Sequence, residues 1–196
     1  MELVSEFRPG DGTVVDETAR PNHHSAMLWF LSDLTSLAQN GWFGYVNPEP
    51  LVPAQKIQQL TDGLANATMD LFTPADVVDM GSTRDLGQML GAFGWYGTHA
   101  GSDDLQAAAA SYAEDLAAEV DAHRSESGRV ADGAENQAAT QGAIAQGLLW
   151  TSQIEGVDRQ GLAEDVLGHL LDDLWDEQAG TFASGGEDST YRITSR

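Results

Sequence analysis

Lysine is all but missing from this chain. Lys56 is the only one in 196 residues, the other basic residues are eight arginines, and together they face 31 acidic side chains for a formal net charge of −22. A surface this acidic lacks the basic face that counterion release from nucleic acid requires, and anionic membranes repel it for the same reason. Cysteine is absent, which excludes disulfides, thiolate nucleophiles and cysteine metal sites. No run approaches the ~18 apolar residues of a membrane span. The opening Met1–Phe7 stretch lacks the basic and apolar regions of a secretory leader, but if Met1 heads an excised segment the compartment stays open, cytoplasmic or secreted.

What is present is enough apolar material for a core: 41% of residues are hydrophobic. Its periodicity is helical. Ile57, Leu60, Leu64 and Leu71 share one stripe, as do Leu105, Tyr112, Leu116 and Val120, and Leu162, Val166, Leu167, Leu170, Leu171 and Leu174 make the clearest one. Each of these helices has an acidic opposite face. Three segments of another kind alternate with them. Ser25–Leu37 is apolar nearly all round, and Asp85–Tyr96 and Asn136–Ile154 are rich in glycine, alanine and large apolar residues. A helix without a polar face is buried on most sides, so Ser25–Leu37, Leu31 included, is expected among the most buried parts.

The turns carry a matching rhythm. Each buried segment ends at a glycine, Gly41, Gly101 or Gly156, suited to a left-handed helix cap. Trp95 and Gly101 recur as Trp150 and Gly156, 55 residues on, and Gly128-Arg129-Val130 recurs as Gly180-Thr181-Phe182, 52 residues on. Val14-Val15-Asp16 recurs as Val77-Val78-Asp79, 63 residues on. The expectation is an all-α fold of antiparallel helical hairpins repeating every 52–63 residues, forming one domain over 1–196. The chain begins at a turn motif and stops near Tyr191-Arg192, where another buried helix would start. Because a hairpin array needs neighbours to cover its buried faces, a segment of a longer array, or closure through self-association, is expected.

Inner and outer helices alternating at this period resemble an α/α toroid. The turn Trp175-Asp176-Glu177-Gln178-Ala179-Gly180-Thr181-Phe182 is similar to the outer-helix ends of six-hairpin glycosidases and N-acylglucosamine 2-epimerase-like proteins. The resemblance implies a partial toroid that binds or processes carbohydrate; it carries no catalytic signature over and does not decide whether the chain is an enzyme. The alternative is an open helical solenoid acting as a non-catalytic scaffold or protein-interaction module. The acidic, nearly lysine-free composition resembles proteins of salt-loving archaea, whose carboxylates hold water and cations and whose self-repulsion is screened by salt.

In a toroid, ligands bind where turns enter the inner helices. Those turns hold His24, Asp85 and Glu135 as candidate proton-transfer groups, with His23, Asp79, Arg84, Asn136 and Tyr191 as candidate ligand contacts. Trp42, in the turn Trp42-Phe43-Gly44-Tyr45, adds an aromatic face. The competing account is that acids and asparagines at helix starts are caps. Trp29, Trp95 and Trp150 lie at core spacing, so packing accounts for them better than stacking on sugar. Gly91, Gly94 and Gly97 along one helix suggest a close helix crossing. His-Glu-x-x-His, EF-hand, Gly-x-Ser-x-Gly and Gly-x-Gly-x-x-Gly patterns are missing, so neither metal nor cofactor is expected.

Overall fold

The computed structural model describes residues 3–46, 52–130 and 137–185. Helix accounts for 66% of the described residues, with two small strand pairs among them, so the class is all-α. The long helices are α1 (Pro21–Gln39), α3 (Ala54–Leu71), α5 (Thr83–Gly97), α6 (Asp103–Ala122), α7 (Gln137–Thr151) and α8 (Gln160–Asp173). Two short ones, α2 (Trp42–Val46) and α4 (Pro74–Met80), sit between them.

Named contacts give the helix directions. Gln39 on α1 donates to the His99 carbonyl just past α5, while Trp29 lies over Gly91, so α1 and α5 run parallel. Gly87 abuts Ala143 and Gly94 abuts Trp150 and Thr151, so α5 and α7 are parallel too. Against α3, α1 runs antiparallel: His24 meets Thr68, Thr35 meets Thr61, and Gln39 meets Gln58. The layer α1–α5–α7 is thus backed by α3 on α1, α6 on α5 and α8 on α7. The core lies between the layers, around Leu28, Leu64, Phe72, Leu90, Phe93, Tyr96, Leu116, Ile144 and Leu148.

Three short antiparallel pairings lie outside the helices. β1 (Glu6–Arg8) pairs antiparallel with β2 (Thr13–Asp16), Arg124 bridges Val130, and β3 (Trp175–Asp176) pairs with β4 (Thr181–Phe182). Gly12, Gly128 and Gly180 take positive φ in the turns that close them, a region closed to most side chains. Gly41 and Gly156 also have positive φ, but Gly101 does not. The α5 cap falls earlier, at Thr98, and the Gly101 N–H instead donates to Asp62, which also accepts from the Tyr96 hydroxyl.

The expectation that Ser25–Leu37 is among the most buried parts needs correction. Phe30 is 54% exposed and Met27 39% exposed, and Leu31 is only partly buried. The face of α1 that is buried is largely polar: His24, Ser25, Ser32 and Thr35, with Leu28. The physical reason is the way α1 meets α3. Ser32 donates to the Leu28 carbonyl, Thr61 to Ile57 and Thr68 to Leu64, each at 2.8–2.9 Å, while Thr35 and Thr61 share a 2.8 Å bond. Small hydroxyls satisfied within their own helices let two backbones approach without burying an unpaired polar group.

Candidate functional site

A cleft of about 510 Å³ opens between the N-terminal halves of α1, α5 and α7. Its floor is made of small residues, Gly87 on α5 and Ala139 and Ala143 on α7. The helices can sit this close because Gly87 has no side chain: a Cβ there would stand 2.5 Å from the Ala143 carbonyl carbon. Trp29 and Phe30 form the aromatic wall from α1. Five hydrogen-bonding side chains line the rest, Ser25 and Asp33 from α1, Arg84 and Gln88 from α5, and Gln146 from α7. The Arg84 Nε is buried and has no hydrogen-bond partner among the described residues.

Beneath the aromatic wall the tryptophans form a chain of edge-to-face contacts. Trp29 lies 5.9 Å from Trp150, Trp150 4.7 Å from Trp95, and Trp95 4.3 Å from the His99 ring. Such geometry fixes ring orientation and so stiffens the wall.

Of the residues picked from the sequence, Arg84 lines this cleft. His24 does not. It is fully buried between α1 and α3, edge-on to Phe72 at 5.2 Å. Its Nε2 accepts from the Leu3 N–H, which leaves Nδ1 to donate to Thr68 Oγ1 at 3.1 Å. That histidine holds the chain's start onto the first hairpin. His23 is half-buried beside Ser5, with Leu3, Met27 and Phe30 around it. Asp85 sits in the first turn of α5, where it accepts from the Ser82 hydroxyl and its own N–H donates to Ser82 Oγ. Burial pushes the Asp85 carboxyl above its usual range, outweighing the lowering effects of Ser82 and Arg84. Asp79 is exposed on α4. Trp42 is half-exposed on α2, beyond the C-terminal end of α1 and so at the far end from the cleft, against Tyr45. Glu135, Asn136 and Tyr191 lie outside the described residues.

The sequence reading passed over Asp33, Gln88 and Gln146. They occupy mid-helix positions on segments judged by their apolar content, and only the parallel alignment of three helices brings them to one opening. A single polar residue every turn on an otherwise apolar inner helix is the signal that could have found them.

Chemically, the cleft offers an aromatic face, one hydroxyl, one carboxylate, one guanidinium and two amides. Those groups can hold a polar organic molecule by stacking and hydrogen bonds. No family model matches the chain, and no curated protein or solved structure matches it either.

Proposed function

We propose that the chain is a carbohydrate-binding domain whose ligand lies in the α1–α5–α7 cleft. The supporting observation is the lining itself: Trp29 and Phe30 beside Asp33, Arg84, Gln88 and Gln146 in a volume of about 510 Å³, within the size range of small-molecule sites. An aromatic face against a sugar ring, flanked by planar hydrogen-bonding groups, suits a pyranose. Arg84 favours a sugar that bears a carboxylate, because a guanidinium lining the cleft can pair with it through charge-assisted hydrogen bonds.

Binding is favoured over processing. Glycoside cleavage uses two carboxyl groups on either side of the scissile bond. Among the described residues lining the cleft, Asp33 is the only carboxylate. The same packing supports reading the three helix pairs as an arc of an α/α toroid, with parallel inner helices presenting their N-terminal ends on one rim. An open solenoid is the other arrangement of such pairs.

The test is a titration in concentrated salt with neutral and uronate-containing oligosaccharides, followed by tryptophan fluorescence and amide shifts. Saturable binding of the acidic sugar is expected, with Arg84→Gln weakening it on the order of tenfold, about 1.4 kcal/mol. Absence of saturable binding by any of the sugars overturns the reading. A scaffold reading, favoured by the exposed apolar residues on α1 and α7, would then replace it.

A further inference from the structure

Two adjacent histidines of α1 meet the segment that leads into β1, and their bonds constrain the ring proton differently. At His23, Ser5 Oγ has given its own proton to the Thr18 carbonyl at 2.6 Å, so it accepts from Nδ1 at 3.4 Å. A neutral or a charged His23 ring can donate there alike. At His24 only one state fits. The Leu3 N–H can only donate, so Nε2 must accept. Thr68 Oγ1 gives its proton to the Leu64 carbonyl at 2.8 Å, so Nδ1 is the nitrogen that carries hydrogen. A charged ring has hydrogen on both nitrogens and no lone pair left for Leu3. The ring is also fully buried, where a charge is costly.

We infer that His24 is a proton-operated latch: the segment of Leu3 and the β1–β2 pair stay docked on α1 while the ring is neutral and are released when it takes up a proton. Among the described residues, the charged groups on the elements packed around the ring are held by other partners or face away. Asp16 pairs with Arg20 at 3.2 Å and accepts from the Thr18 N–H. Asp76 accepts from the Thr73 N–H and hydroxyl beyond the end of α3. Glu6 on β1 and Asp70 on α3 are exposed, and Asp70 lies on the side of α3 opposite Thr68. His23 keeps its Ser5 bond in either state. Leu3 and Val4 line a hollow of about 370 Å³ with His23, Met27 and Phe30, so release takes cover from both apolar side chains. Phe30 is also a wall of the α1–α5–α7 cleft, and the latch thereby ties the backing of that wall to pH. The sign follows from the ring. A free histidine charges as pH falls through about 6.5. Docking uses the neutral ring, so it is at full strength above that pH and weakens about tenfold for each unit below it.

The experiment is nuclear magnetic resonance of the intact chain in concentrated salt, from about pH 8 to about pH 4.5, spanning the histidine range. It follows the His24 ring nitrogens and the exchange protection of the Leu3 amide, with the Leu116 amide in the core as monitor of the global fold. At the upper pH the ring is expected to carry hydrogen on Nδ1. Charging of the ring and loss of Leu3 protection should then fall at one pH, while Leu116 stays protected. His23→Gln should leave that pH unchanged. His24→Gln, which cannot titrate, should make Leu3 protection level across the range, whatever its height. Hydrogen on Nε2 at the upper pH overturns the inference, as does a ring that charges while Leu3 stays protected. A pH step that persists in His24→Gln or disappears in His23→Gln overturns it too. So does loss of Leu116 protection together with Leu3, which makes the event unfolding of the whole chain.

Discussion

At Gly94, the Trp150 carbonyl carbon and the Thr151 nitrogen stand 2.5 Å from where a Cβ would be. Nothing there is a flexible side chain end, so an alanine would push α5 and α7 apart. Gly94→Ala is expected to destabilise the chain by about 1–3 kcal/mol, the usual range for overpacking. Gly63 on α3 is the control, since a Cβ there meets nothing within 4 Å. Gly63→Ala should stabilise by roughly 0.5–1 kcal/mol through helix propensity. Urea melts in concentrated salt read both; equal effects at the two sites would contradict the close approach. The glycines at 91, 94 and 97 were legible as a crossing because glycine is so poor a helix former, but the partner helix was not, since nothing in the spacing names it.

Asp85 illustrates the limit of reading charge from position. At a helix start it looks like a reactive rim group, yet it is half-buried against Ser82 with its carboxyl raised. The sign follows from that direction. A carboxyl raised in the folded state makes the unfolded chain the first to lose its proton as pH climbs past the ordinary aspartate range. Asp85 therefore contributes less to stability at neutral pH than at low pH, and the loss is complete once pH exceeds the folded value. Asp85→Asn, which keeps an oxygen for the Ser82 hydroxyl, is expected to be neutral or stabilising at pH 7. That benefit should shrink toward pH 4 in melts compared across pH. A variant less stable at pH 7 and unaffected by pH would show that the charge itself supports the helix.

Among the elements, α1 separates what periodicity reveals from what it hides. Its apolar content marked it as an inner helix, and it packs in one layer with α5 and α7. Which sides are covered could not be read, because its polar residues His24 and Thr35 pack against α3, Ser25 and Ser32 are buried, and its apolar Met27 and Phe30 face outward. A hydroxyl bonded to its own helix behaves as a small apolar group, and the sequence shows only that it is polar. The amphipathic helices α3, α6 and α8 were easier, since one covered face and one acidic face leave a plain stripe. Leu28→Ala, at a position with no exposure, should cost about 2–5 kcal/mol, whereas Phe30→Ala should change stability little while altering the cleft wall. Comparable losses at both positions would place Phe30 in the core.

Over the whole molecule, charge is the dominant unresolved force. Arginine ion pairs do tie parts together: Arg124 bonds Asp121 and Asp165 at 2.9 and 3.0 Å, joining the end of α6 to α8, and Arg159 pairs with Glu114. They are partly exposed, and pairs of that kind contribute about 0–1 kcal/mol each. Most carboxylates have no such partner to draw on when only nine basic residues oppose 31 acids. Around the turn at Gly128, Glu126, Glu164, Asp165, Asp172 and Asp173 gather about a single small cleft with His169, whose ring bonds Asp173 at 2.6 Å. Folding concentrates these like charges, so the folded state gains more than the extended one when they are screened. At about 1 M salt the screening length falls to roughly 3 Å, and repulsion between neighbouring carboxylates largely disappears. The melting temperature is therefore expected to fall steeply as salt is diluted below about 1 M. Calorimetry across a salt series at constant pH makes the measurement. A melting temperature that stays level from molar salt to dilute buffer would mean that the acids are spaced too widely to repel, and the composition would then need another physical reason.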